Sequence, residues 1–203
     1  LGGKTLMINE KQIHTTPIGT GNYPYLFTPD TQFEKPNGVF TVKFVLTKKE
    51  AEPFIKIYED TLKERQKKDN TDKRAPHNQY KILKDGTVEF KFKLKAKVTM
   101  KDGTDFEQRP KILNADKTVA EPQPVYSGSK MKIAFQAFSW ANPMQGVGVS
   151  LRLKAVQLIE IVSAKPTSDG KSKSDYDYGF GEEKVSNVPS GKKEVPVSQE
   201  ADF

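Results

Sequence analysis

Cysteine is missing from all 203 residues, which excludes disulfides, cysteine-held zinc and thiol catalysis. Histidine is nearly missing: His14 and His77 stand far apart, too few for an ordinary zinc site. No apolar run is long enough to cross a membrane and no stretch reads as a secretion signal, so no membrane partner is expected. Apolar residues make up only 35% of the chain, so part of it is expected to lie outside any core. Nucleotide motifs are also lacking. There is no Gly-x-x-x-x-Gly-Lys-Ser/Thr sequence, and Gly146-Val147-Gly148 precedes a strand rather than a helix. Nothing resembles a nucleophile elbow, so no catalytic residue and no cofactor is nominated.

Acidic clusters are equally thin. Asp102, Asp105 and Glu107 lack the ligand spacing of a calcium loop and read as a hairpin turn around Asp102-Gly103. The expected core strands carry few carboxylates beyond Glu89 and Glu160, which makes a metal-dependent nuclease the weaker class.

What is present is positive charge, unevenly spread. The net charge is +7, but residues 165–203 hold six lysines against eight acidic residues, a net of −2, which leaves +9 for the body. A basic body suits a polyanion, and a mildly acidic tail could compete for the same surface. On charge alone, a soluble basic protein with a solvated tail explains as much.

The chain reads mostly as strands. Thr20–Phe27 mixes turn residues with aromatics and has room for a short first strand. Phe40, Val42, Phe44 and Leu46 alternate with Thr41, Lys43 and Val45, the pattern of a half-buried strand. Over Val88–Val98 one face is Val88, Phe90, Phe92, Leu94, Ala96 and Val98; the other carries Glu89, Lys91, Lys93, Lys95 and Lys97. Same-face neighbours on a strand lie about 6.5 Å apart, so the four ammonium groups form a ladder. That ladder fits a binding face and a lysine-guarded sheet edge equally well. Pro110–Val119 offers one weak strand.

A single helix is expected over roughly Glu50–Lys67, where Phe54, Tyr58 and Leu62 recur every four residues beside Ile55. Thr47 and Glu50 have capping-box spacing, but that start would put Pro53 inside the helix, so the helix is expected to begin a few residues later. Lys63, Arg65, Lys67 and Lys68 complement the C-terminal helix dipole.

Two long strands, Lys130–Trp140 and Val147–Val162, joined by the 142–146 turn, organise the rest. The first sends Met131, Ile133, Phe135 and Ala137 to one face and Lys130, Lys132, Gln136, Phe138 and Trp140 to the other. In the second, Val147, Val149, Leu151 and Leu153 face inward and Ser150, Arg152 and Lys154 outward. Near Ala155 the alternation slips by one, as at a β-bulge in a curving sheet.

Large rings among cations on an outer face are what a flexible single strand needs: planes for its bases, charges for its phosphates. Phe138 and Trp140 are the candidate stacking residues; Lys91, Lys93, Lys95, Lys130, Lys132, Arg152 and Lys154 are the candidate phosphate contacts. A dimer patch or a second core under the helix would use the same two rings. The expected fold is all-β: an OB-fold-like small β-barrel with one α-helix over residues 1–164. A disordered C-terminal tail is expected over 165–203, ending in Glu200, Asp202 and Phe203. A phage structural or protein-interaction module with a basic face is the alternative.

In order along the chain, Gly19-Thr20, Tyr23-Pro24-Tyr25 and Asn37-Gly38-Val39-Phe40-Thr41-Val42-Lys43 resemble the single-stranded DNA-binding proteins of T-odd, autographivirus-type podophages. Asp85–Lys93, Gly128-Ser129-Lys130-Met131-Lys132, the long last strand and the terminal Asp202-Phe203 continue the resemblance. It implies an OB-fold barrel, homodimerisation, strand annealing and a role in replication, recombination and repair in the infected host's cytoplasm. It also implies a tail, here Glu200, Asp202 and Phe203, that docks on the phage DNA polymerase and helicase-primase and occupies the DNA groove when DNA is absent. The family's stacking Tyr and Trp fall on Phe138 and Trp140, where Phe keeps the ring and drops the hydroxyl. The tail departs from the pattern: it is much less acidic, though its terminal Phe is retained.

Overall fold

A computed structural model describes residues 12–32 and 34–162. Its strands are β1 (His14–Thr15), β2 (Gly19–Asp30), β3 (Val39–Leu46), β4 (Tyr80–Ile82), β5 (Val88–Lys95), β6 (Lys97–Thr99), β7 (Asp105–Glu107), β8 (Lys111–Leu113), β9 (Ser129–Asn142) and β10 (Gly146–Glu160). The helix α1 (Lys48–Lys68) follows β3. The expected outline holds: mostly strand, with one helix among the described residues. No helix there is long and apolar enough to cross a membrane. The expected tail lies outside the described residues.

Five strands pair in a ring. β2 runs antiparallel to β3, β3 to β5, β9 to β10 and β9 back to β2, while β5 and β10 run parallel at Phe92 and Leu151. That order is OB-fold-like. Alternation drives it, because every second residue of β3, β5 and β9 is apolar and turns inward. Val42, Phe44, Val88, Phe92, Met131, Ile133, Phe135 and Leu153 are fully buried. The register slips between Leu153 and Ala155, where the sequence predicts a bulge, and this extra residue lets β10 curl. Beyond the bulge, β10 takes β8 as a parallel neighbour.

Several expectations need correction. The strand expected within Thr20–Phe27 is β2, twelve residues rather than short, with register shifts either side of Tyr25, and the two-residue β1 precedes it. Pro24 has no N–H to donate to the ladder, so the alternating pattern is interrupted where the strand bends. The Val88–Val98 strand stops at Lys95. Lys97–Thr99 leaves the ring to form a separate hairpin with Asp105–Glu107, closed by the Asp102-Gly103 turn. In Pro110–Val119 only Lys111–Leu113 is a strand, with a single bridge from Leu113 to Val119.

The helix begins earlier than the proline argument predicts. Thr47 caps it, Glu50 closes the capping box, and Pro53 sits inside the helix. Thr47 Oγ1 donates to Glu50 Oε2 at 2.6 Å and the Thr47 N–H donates to the same oxygen at 3.2 Å. The box satisfies orphan donors of the first turn, while Pro53 removes one later bond. Burial decides the contest. Ala51, Tyr58 and Leu62 are buried, and the Phe54 ring meets Phe135 at 5.9 Å and Phe90 at 6.4 Å, so α1 packs its apolar stripe onto the core of the sheet.

Candidate nucleic-acid interface

The outer face of the ring is built by register. Thr41 of β3 stands opposite Lys93 of β5, Lys93 beside Arg152 of β10, and Arg152 opposite Gln136 of β9. One step along, Lys43 stands opposite Lys91. Partners directly opposite each other point to the same side of a sheet, so Lys43, Lys91, Lys93 and Arg152 share the surface that the apolar residues leave. Among the described residues none of these four is in an ion pair; the acid on the same face of β5, Glu89, is taken by Lys81 at 3.0 Å. Burial, then the neighbouring Lys91 charge, lowers the Lys93 pKa, with Lys95 adding to it and Glu34 opposing. Crowded, partly desolvated ammonium groups like these favour an incoming anion.

At one side of this strip are the two expected rings. Phe138 is 37% exposed, and the Arg152 guanidinium lies 4.8 Å from its centroid. Trp140, half-buried, stands opposite Gly148 across the β9–β10 hairpin. A Cβ on Gly148 would overlap the indole, so the glycine is what lets Trp140 lie across the neighbouring strand. Neither ring belongs to the buried core cluster or packs against it.

The other expected cations are placed differently. Lys154 is exposed two residues beyond Arg152, on the same side. Lys95, at the end of β5, is 3.9 Å from Glu34. Lys130 and Lys132 lie six to eight residues down β9 from Phe138, roughly 20–26 Å along the strand. There Lys130 donates to Thr20 Oγ1 at 2.8 Å and stands opposite Glu160, while Lys132 stands opposite Gln157. The structure therefore gathers Phe138, Trp140, Arg152, Lys154, Lys91 and Lys93, and leaves Lys130 and Lys132 apart. The fourth rung of the ladder is lost as well: Lys97 sits on the separate hairpin, 2.6 Å from Asp105.

Lys43 joins the cluster although nothing in its sequence context nominates it as a contact. Its outward position is legible from the alternation of β3, but its juxtaposition with Lys91 exists only once β3 and β5 pair. Residues 73–80 connect β10 to β5. The Ala75 N–H donates to Val147 O, and the Lys91 N–H donates to Gln79 O, both at 2.8 Å. Arg74 forks onto Glu59 at 2.7 and 2.9 Å, and Tyr80 donates to the same carboxylate at 2.8 Å.

Among solved structures, the chain resembles gp2.5, a single-stranded DNA-binding protein encoded by bacteriophage T7. The TM-score is 0.63 at 22% identity over 85% of this chain and 99% of that one. The fold is that of phage single-stranded DNA-binding proteins. It is shared by the single-stranded DNA-binding protein of bacteriophage Enc34, solved in complex with single-stranded DNA. That match has a TM-score of 0.56 at 15% identity, over 74% of this chain and 88% of that one. A C-terminal truncation of the Enc34 protein matches equally well, at TM-score 0.56. No protein-family model matches the sequence, and no curated protein sequence does.

Proposed function

We propose that this chain binds single-stranded DNA without sequence preference and acts in phage DNA replication and recombination. The observation that carries the reading is the Arg152–Phe138 contact beside Trp140, continuous by register with Lys93, Lys91 and Lys43. Every base has a face to stack, so rings at this spacing accept any sequence, each worth about 1–3 kcal/mol. Phe138 and Trp140 take bases; Lys91, Lys93, Lys95, Arg152 and Lys154 take phosphates; Lys130 and Lys132 meet only a strand that continues down β9. The likeness to the Enc34 protein, solved in complex with single-stranded DNA, supports the same reading.

Finer parts of the proposal follow the sequence resemblance. They are coating and annealing of strands, repair, a homodimer, action in the cytoplasm of the infected bacterium, and a tail over 165–203. In the tail, Glu200, Asp202 and Phe203 dock on the phage DNA polymerase and helicase-primase. The chain is a binding protein, so magnesium and a labelled strand should yield no cleavage products.

Trp140 is the one tryptophan, so its emission reports on the site directly. Titration with oligo-dT at low salt is expected to quench it, with affinity falling steeply as salt rises. Phe138→Ala and Trp140→Ala, followed by anisotropy of a labelled oligonucleotide, should each weaken binding about tenfold or more. Absence of quenching at low salt removes the proposal.

A further inference from the structure

The cation strip has a second end. Across β3 from Lys91 and Lys93 lies β2, which carries Tyr23 and Tyr25, 66% and 43% exposed. Tyr25 stands opposite Thr41, so it extends the Thr41–Lys93–Arg152–Gln136 row by one strand. Tyr23 sits in the irregular step between Asn22 and Tyr25, and its φ of 48° lies in the left-handed region that favours glycine. The Tyr23 N–H donates to Ser127 Oγ at 2.8 Å, which holds that turn of the backbone. The Lys43 ammonium lies 5.0 Å from the centroid of the Tyr23 ring. A large ring in a conformation better suited to glycine, aimed at solvent under a cation, is not explained by packing. Beside Tyr25 an open groove of about 240 Å³ has Phe27, Pro124 and Tyr126 in its walls.

The geometry points to Tyr23 and Tyr25 as a second base-stacking platform, with Lys43 as its phosphate contact. A strand anchored on Phe138 and Trp140 would reach it by crossing β10, β5 and β3. This assignment rests on the single-stranded DNA reading above and extends it. The two aromatic ends are four strand spacings apart, ~19 Å across the sheet. Arg152, Lys93, Lys91 and Lys43 lie between them, so one oligonucleotide meets ring, cations, ring in sequence. The arrangement predicts dependence on length: a strand too short to cross the sheet gains nothing from β2.

The test uses the full chain, oligo-dT of about three and about twelve nucleotides, and Trp140 emission. Tyr23→Gly removes the ring while suiting the left-handed backbone, so folding is retained; Tyr23→Phe keeps the ring and serves as the control. With Tyr23→Gly combined with Tyr25→Ser, affinity for the longer strand should fall about tenfold or more while the trinucleotide is unaffected. Lys43→Gln should reduce the salt dependence of the longer strand by about one phosphate's share. Tyr23→Phe should match the wild type. Unchanged affinity for the longer strand overturns the second platform, and so does an equal loss for both lengths. Phe138→Ala separates the two proposals: it should weaken both lengths. A wild-type chain that binds neither length overturns the single-stranded DNA reading itself.

Discussion

The Arg152 guanidinium stands 4.8 Å from the centroid of the Phe138 ring, and its Cα partners are Gln136 on one side and Lys93 on the other. A planar cation over a ring supports stacking and meets phosphate with two donors, which an ammonium cannot copy. Arg152→Lys should therefore weaken oligo-dT binding severalfold while leaving the salt slope in place. Arg152→Gln should lower both, the slope by about 0.7 for one phosphate contact on a single strand. Anisotropy at a series of salt concentrations reads both quantities. Equal behaviour of the two variants would falsify a role for the guanidinium plane.

Trp140 depends on a residue that has no side chain. A methyl at Gly148 would occupy the place of the indole, so Gly148→Ala should push Trp140 off the β10 backbone. Its emission maximum should shift before any DNA is added, and oligo-dT affinity should fall about as far as removing one stacked base, ~1–3 kcal/mol. Gly148 is on a strand that is otherwise well paired, so circular dichroism should remain that of the wild type. An unshifted emission spectrum counts against the packing described.

Much of this architecture was legible from alternation alone. The inward faces of β3, β5, β9 and β10, the slip near Ala155 and the outward placement of Phe138, Trp140 and Arg152 follow from a period of two. Misreadings arose where a local rule met a stronger tertiary one. Pro53 argued for a late helix start, yet the capping box and the burial of Ala51 and Phe54's contacts outweigh one lost bond. Lys97 kept the alternation of β5, but the Lys97–Asp105 pair and the Asp102-Gly103 turn draw it into another hairpin. Tyr23 and Lys43 lie on neighbouring strands, β2 and β3, and no period of two in either strand pairs them. Their meeting is a product of the β2–β3 register, and Pro24 hides that register from any pattern count. Thr47→Ala tests the first of these directly. It should cost ~1 kcal/mol, the usual value of an N-cap, seen as a lower thermal midpoint.

Glu59 ties α1 to the 73–80 segment that connects β10 to β5. Burial alone would raise its pKa, but hydrogen bonds from Arg74 and Tyr80, with the Arg74 and Lys63 charges, outweigh it and the net shift is downward. A lowered carboxylate pKa stabilises the fold above the unfolded value, ~4.3 for glutamate, and that contribution is lost as pH falls through the folded value. Glu59→Gln should therefore destabilise the fold at pH 7 by ~1–2 kcal/mol after allowing for partial exposure of the pair, seen as a lower thermal midpoint. The difference between wild type and variant should narrow as the pH falls below the ordinary glutamate range. A gap that is constant with pH would show that the fork onto Arg74 contributes through shape and not charge.

Lysines equally spaced in the sequence should not be equal in binding. Lys91 and Lys93 share a face with Lys43 and Arg152 and have no acidic partner in ion-pair range among the described residues. Lys97 continues the same alternation but is held by Asp105 at 2.6 Å, which raises its pKa, and it lies on a different sheet. Lys130 is engaged with Thr20 at the far end of β9. Each phosphate neutralised on a single strand contributes ~0.7 to the slope of log affinity against log salt. Lys91→Gln and Lys93→Gln should each lower the slope by about that amount and weaken binding at low salt more than at high salt. Lys97→Gln, which removes the same charge two positions beyond Lys95, should leave the slope of a short oligonucleotide where it was. Lys130→Gln should do the same until the strand is long enough to run down β9. A uniform loss from all four substitutions would mean that net charge, and not this face, attracts the strand.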